Sequence, residues 1–261
     1  MRFWLLFLLS LSSTVQAKAQ WKLVKEIAGD FQQIEVDHKG DIYTIQSNGT
    51  VSKYNKEGAL LVEYSPSFNQ PVDQIDINSQ FKVFLFYRDF QEAVLLNRYL
   101  SDPVTINFSN YDVNFVSDLA PDLNQNLWTI NLGDLSMKLV DPIQKRILET
   151  KSLAKILNQS KTDQLQLKSH NNRTYLIQNY QKIYVFDNLG NYTYSFDIDS
   201  PNEPSFWKDE LYFKNKEELV LINLYNHEKR RFQIPNQKAQ KIRYTGSQLI
   251  LLHPTGLSIY D

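Results

Sequence analysis

Four histidines, His38, His170, His227 and His253, are the side chains of this sequence best suited to bind a transition metal or shuttle a proton, and their spacing brings none of them together. No His-x-His or His-Glu-x-x-His run occurs, whereas a zinc centre needs several ligands converging on one ion. There is no cysteine, hence no thiol nucleophile. A Gly-x-Ser-x-Gly elbow and a phosphate-cradling glycine loop are also missing. The sequence therefore assigns no catalytic residue and no cofactor. Two groups remain that suit contact rather than reaction. Phe108, Tyr111 and Phe115 form an aromatic group of the kind that anchors protein or sugar surfaces, with packing beneath a loop as the equal alternative. Lys229-Arg230-Arg231 is a short basic run, and on an outer strand such charges protect an exposed edge.

What must position these residues is a repeat. An apolar strand recurs at Asp41 to Ile45, Lys82 to Phe86, Asn126 to Ile130, Arg173 to Ile177, Glu210 to Phe213 and Gln248 to Leu252. Their third residues are spaced by about 41 positions on average, the period of a four-stranded propeller blade. A second strand follows each after a turn: Thr50 to Tyr54, Ala93 to Leu96, Ser136 to Val140, Lys182 to Phe186, Glu218 to Ile222 and Gly256 to Tyr260. Asn48-Gly49 and Pro254-Thr255-Gly256 stand where the chain must reverse.

An inner strand precedes each hairpin, at Gln33 to Asp37, Gln74 to Asn78, Ser117 to Ala120, Gln164 to Ser169, Pro204 to Trp207 and Lys241 to Thr245. An outer strand follows the first five, at Leu60 to Tyr64, Val104 to Phe108, Arg146 to Thr150, Tyr192 to Asp197 and Arg230 to Ile234. The sixth unit lacks one, and the orphan segment Trp21 to Ile27 is free to supply it, which would pair an edge that otherwise invites aggregation. The fold expected is all-β: a six-bladed β-propeller of four-stranded antiparallel blades, the last closed by the N-terminal strand. Two insertions depart from the minimal unit, Ser109 to Val116 and Leu153 to Asp163, the second containing a short helical turn at Ala154 to Leu157. Loops on a rigid scaffold are common binding surfaces, and simple length variation is the equal alternative.

Asp37-His38-Lys39-Gly40-Asp41-Ile42-Tyr43 and Asp122-Leu123-Asn124-Gln125-Asn126-Leu127-Trp128 resemble the acid, turn, polar, apolar, aromatic phrase of NHL-like and TolB-like six-bladed propellers. In that phrase the acid braces the inner turn and the aromatic fills the space between blades, which makes Asp37, Asp122, Tyr43 and Trp128 scaffold residues. Gln125 stands where the first phrase has Gly40. The resemblance also implies an enzymatic alternative, a calcium-dependent lactonase or esterase with its ion in the central channel. Calcium takes about six to eight oxygen ligands. Glu35, Asp73, Asp76 and Asp118, with Asp122, are the available carboxylates of the first three units, while the later inner strands offer Gln166, Lys168, Trp207, Lys241 and Arg243. Cations on one side of a channel make a poor copy of such a site.

The N-terminus has the layout of a secretory signal peptide over residues 1–19: Arg2, an apolar run from Phe3 to Leu9, and a small-residue exit at Ala17-Lys18-Ala19. The run is shorter than the about 20 residues a membrane-spanning helix needs, so no transmembrane segment is expected after cleavage. Residues 20–261 form the propeller. A hydrophobic fraction of 42% and an aromatic fraction of 13% supply its core, and a net charge of -1 gives no reason to expect nucleic acid as partner. Export without cysteine points to a bacterial periplasmic or extracellular protein. The function expected is a non-catalytic module binding an envelope protein or a glycan.

Overall fold

The computed structural model describes residues 21–67, 69–77, 82–157 and 164–261. The expected signal peptide at 1–19, Asn78 and the far half of the second insertion lie outside the described residues.

The chain forms six four-stranded antiparallel sheets arranged as the blades of a propeller. Blade 1 runs from β2 (Phe31–Val36) through β3 (Ile42–Gln46) and β4 (Val51–Tyr54) to β5 (Leu60–Tyr64). Blade 2 follows as β6 (Gln74–Asp76), β7 (Lys82–Tyr87), β8 (Glu92–Asn97) and β9 (Val104–Asn107), and blade 3 as β10 (Val116–Pro121), β11 (Leu127–Asn131), β12 (Ser136–Asp141) and β13 (Arg146–Ser152). Blade 4 comprises β14 (Leu165–His170), β15 (Arg173–Gln178), β16 (Lys182–Phe186) and β17 (Tyr192–Asp197). Blade 5 comprises β18 (Ser205–Trp207), β19 (Glu210–Asn215), β20 (Glu218–Asn223) and β21 (Lys229–Gln233). Blade 6 is β22 (Lys241–Tyr244), β23 (Leu249–His253) and β24 (Gly256–Tyr260), and its fourth strand is β1 (Leu23–Ala28), paired antiparallel with β24.

The core lies between blades rather than within any one of them. Successive side chains of a strand point to opposite faces of its sheet. On β7, Val83, Leu85 and Tyr87 therefore pack toward blade 1, while Phe84 and Phe86 pack toward blade 3. Both faces are buried, and for that reason the middle strands read as unbroken apolar runs. Six hydrophobic clusters result among the described residues, one at each junction of neighbouring blades, including the junction of blade 6 with blade 1. Tyr43 and Trp128 belong to two of them.

Outer strands are largely exposed and mix polar with apolar side chains, Leu60 and Leu61 on β5 among them; on β21, Arg230 and Arg231 pair with Glu210 and Glu218 across the sheet. The Asn107 side chain caps a 3-10 turn at Phe108–Asn110 in the first insertion. In the second, Leu157 donates its backbone N–H to Leu153, and both leucines are buried between blades 3 and 4. No helix among the described residues is long and apolar enough to cross a membrane.

Antiparallel order places the turns on two faces. The front face carries the turns between first and second strands and between third and fourth strands. The back face carries the remaining turns and the connections between blades. On the front face, Asp37 accepts the N–H of Lys39 and Asp41, and Asp122 those of Asn124 and Asn126, at 2.8–3.0 Å. Gln125 takes a φ of +68° where Gly40 takes +88°, so the same turn forms without the glycine.

Candidate functional site

The inner strands β2, β6, β10, β14, β18 and β22 surround a central channel, and a layer of four charged side chains crosses it. Arg243 on β22 donates from Nε to Glu35 Oε2 at 2.7 Å and from Nη2 to Glu35 Oε1 at 2.5 Å. Lys168 on β14 reaches Glu203 Oε1 at 2.6 Å, and Arg243 approaches the same oxygen at 4.0 Å. Glu35, Lys168 and Arg243 border a cavity on each side of the layer, about 290 Å3 toward the back face and about 40 Å3 toward the front.

The electrostatics follow from burial working against pairing. Burial alone would push the Glu203 carboxyl up, but Lys168 and then Arg243 outweigh it and hold the group at about 2. Lys168 and Arg243 stay protonated for the reciprocal reason: burial disfavours their charge, and the facing glutamates restore and exceed what it removes. Asp118 on β10 is different. Burial pushes its carboxyl up to about 7, against the N–H groups of Leu119 and Leu167 at 2.8 and 3.2 Å and the more distant Lys168 and Arg88.

Three of the four carboxylates of the calcium alternative, Glu35, Asp73 and Asp118, border the same back cavity, but each is already engaged by other groups. Glu35 is held by Arg243. Asp73 accepts the backbone N–H of Arg88 at 2.7 Å and faces its guanidinium at 3.8 Å. Asp118 is taken by two amides, Asp76 lines the smaller front cavity, and Asp122 braces its own turn. Among the described residues no group of three or more His, Asp or Glu is arranged to hold a metal ion. The histidines stay apart: His170 stacks on Phe206, His227 lies against Phe196, and His253 bonds Ser258. Glu203 was not legible as a channel residue because it comes from the connection between blades 4 and 5; Pro201-Asn202-Glu203-Pro204, a stiff loop just before β18, is the signal that could have found it.

The aromatic group Phe108, Tyr111 and Phe115 is split by the fold. Phe108 is buried between blades 2 and 3, edge-on to Phe86 at 5.9 Å, and so presents no surface to a partner. Tyr111 is half-buried, its hydroxyl donating to the Pro142 carbonyl at 3.2 Å. Phe115 is exposed on the back face, where Phe90 is also exposed on the turn between β7 and β8.

A second set of apolar side chains was not anticipated. Five front-face turns between third and fourth strands begin with Asn55, Asn97, Asp141, Asp187 and Asn223, and each side-chain oxygen accepts two backbone N–H groups at 2.8–3.2 Å. The first of these N–H groups is always two residues on, which makes that residue the tip: Glu57, Tyr99, Ile143, Leu189 and Tyr225. In blades 2 to 5 the tip is a large apolar or aromatic residue, exposed by 62%, 83%, 60% and 68% in that order. Such turns ordinarily carry small polar residues, and these side chains add nothing to the core.

No protein-family model matches this chain, and no curated protein matches it in sequence. Solved structures match its shape. The chain is similar to virginiamycin B lyase from Staphylococcus aureus, with 14% identity and a TM-score of 0.60 over 92% of this chain and 99% of that one. It is similar to an auxiliary nutrient binding protein from Bacteroides ovatus, with 10% identity and a TM-score of 0.64 over 93% of this chain and 73% of that one. BamB from Moraxella catarrhalis matches with 10% identity and a TM-score of 0.52 over 93% of this chain and all of that one. Identities this low carry the fold alone, and the fold hosts an enzyme and binding proteins alike. The chain is a six-bladed β-propeller.

Proposed function

We propose that this propeller is a non-catalytic binding module, exported into the bacterial envelope by its N-terminal leader, and that it docks a protein partner on its front face. The observation that carries the reading is the row of tips Tyr99, Ile143, Leu189 and Tyr225, one on each of four successive blades. A rigid ring holds them at equivalent positions, so a partner meets four preformed anchors at little ordering cost. Tyrosines are enriched in such contacts, and the aliphatic tips, which have no hydrogen-bonding group, favour protein over glycan. Tyr99 is braced by Arg98, whose guanidinium lies 4.9 Å from the ring centroid. Phe115, with Phe90, offers a smaller contact on the back face. The non-catalytic reading is supported by the channel, where Arg243, Arg88 and backbone amides already engage Glu35, Asp73 and Asp118. The bacterial envelope is supported by the leader and the lack of cysteine.

The test is capture from an envelope extract of the producing organism on immobilised protein. Wild type and a Phe90→Ser/Phe115→Ser variant should retain the same partner. A Tyr99→Ser/Ile143→Ser/Leu189→Ser/Tyr225→Ser variant of equal thermal stability should retain at least about tenfold less. Equal retention by the four-tip variant would refute the reading.

A further inference from the structure

The row of tips is not the same at its two ends. At Tyr99, Arg98 Nη2 donates to the phenol oxygen at 2.7 Å, which leaves the hydroxyl hydrogen of Tyr99 for an acceptor outside the chain. Arg98 and Tyr99 are both exposed, so a guanidinium and an O–H donor stand side by side facing solvent. The hydrogen bond and charge of Arg98 hold the phenol below its ordinary value, and Lys39 and Lys53 of blade 1 act in the same direction. Lys39, Lys53 and Arg98 border a notch of about 20 Å3 where blades 1 and 2 meet on the front face. That is far too small for a ligand of its own.

The carboxylates of this sector are committed elsewhere. Asp41 pairs with Lys53 at 2.9 Å, and Asp37 accepts two N–H groups of its own turn. Asp102 accepts from the Asn97 amide at 2.7 Å and the Ser101 hydroxyl at 3.2 Å, and Glu57 faces Lys56 at 3.8 Å. Arg98 and the exposed Lys39 have no carboxylate at ion-pair distance among the described residues. The far end of the row differs. The turn that holds Tyr225 contains no lysine or arginine and ends on Glu228, with Lys229 next to it to cancel the charge. His227 of that turn lies against Phe196.

We propose that the partner meets the front face with an acidic segment at the blade 2 end of the row, a carboxylate taken by Arg98 and the Tyr99 hydroxyl with Lys39 alongside. Its apolar side chains then run over Ile143 and Leu189 toward Tyr225. The inference rests on the docking reading and adds to it the chemistry of the partner and the direction in which it lies. Charge-assisted hydrogen bonds to a carboxylate are the strong kind, and a guanidinium beside a second donor fixes its orientation. The contact supplies the counter-ion that Arg98 and Lys39 lack, and like charge on the partner at this end would be rejected.

Fluorescence polarisation of the purified protein with labelled hexaglutamate and hexalysine, at low salt where exposed charges are least screened, tests it. Hexaglutamate should bind and hexalysine should not. Arg98→Gln/Lys39→Gln should weaken hexaglutamate at least about tenfold and, since both side chains are exposed, leave the melting temperature unchanged within a few degrees. Lys208→Gln/Lys229→Gln, which removes two cations of blade 5, should leave it within about twofold. No binding of hexaglutamate at millimolar concentration, equal binding of hexalysine, or undiminished binding in the folded Arg98→Gln/Lys39→Gln variant would each overturn the proposal. Sedimentation with phosphatidylglycerol vesicles in place of hexaglutamate binding would assign the basic end to a membrane surface and overturn it too. The capture experiment with the four-tip variant fails independently of this one, so a fault in the docking surface and a fault in its basic end are told apart.

Discussion

Arg243 on β22 grips both oxygens of Glu35 on β2, and that fork spans the junction where the last blade meets the first. The pair lies in the channel layer rather than in water, with side-chain exposures of only 6% and 15%. Breaking it from one side strands a buried charge. Arg243→Met is therefore expected to cost about 3–5 kcal/mol in urea unfolding, and Glu35→Met a similar amount. The double variant should cost clearly less than the sum, because no charge is left unpaired. Strict additivity would show that the fork is energetically idle.

Stability should depend on pH in two opposite windows. Glu203 is held at about 2, below its unfolded value near 4.5. It therefore contributes stability that is full above about pH 4.5 and is lost as pH falls toward 2. Asp118 is raised to about 7 from an unfolded value near 3.8. The folded state thus binds its proton more tightly, and the stability this confers is full below about pH 4 and is lost as pH rises to 7. Between pH 5 and 8 Asp118 should draw the denaturation midpoint down as pH rises while His170, whose imidazole is held below its usual value by burial, draws it up, so the midpoint of Asp118→Asn should rise with pH relative to wild type. An unchanged slope in the variant would contradict the placement of Asp118.

Lys22 and Asp261 exchange both backbone hydrogen bonds, at 2.8 and 2.9 Å, next to the β1–β24 pairing. Removing residues 21–28 would leave β24 as an open edge and strip Ile27 from the cluster shared with blade 1. Calorimetry should show the whole ring melting at a lower temperature. An unaltered transition would mean that closure contributes nothing.

Gly190, at φ +73° in the turn between β16 and β17, faces Trp128 of the neighbouring blade so closely that a Cβ would lie 2.4 Å from the indole. Gly190→Ala should cost roughly 1–3 kcal/mol through strain and displacement of the ring. Near-ultraviolet circular dichroism should register the tryptophan shift, and an unperturbed spectrum with full stability would refute the contact.

The blades were legible because each middle hairpin is buried on both faces, so its apolar run and its period survive in the sequence at all six positions. Closure by the N-terminal strand was legible for the complementary reason, an outer strand lacking at one end and an orphan at the other. The second strand of blade 1, expected from Asp41 to Ile45, is β3 at Ile42–Gln46, and its last blade is completed as expected by β1. The site was less legible. Glu35, Lys168 and Arg243 were readable as inner-strand residues, but which charges meet depends on how the ring closes, and Glu203 enters from a loop. Phe108 carried an aromatic signal that burial accounts for. The tips Tyr99, Ile143, Leu189 and Tyr225 gave no shared motif, because what recurs is the Asx residue two positions earlier and the tip itself varies.

The docking face is tested most directly in the native envelope, with a photo-crosslinking amino acid placed at Ile143 on the front face and, separately, at Phe115 on the back. A discrete protein adduct from position 143, absent or much weaker from position 115, is the expected result. An adduct from 115 with none from 143 would contradict the account.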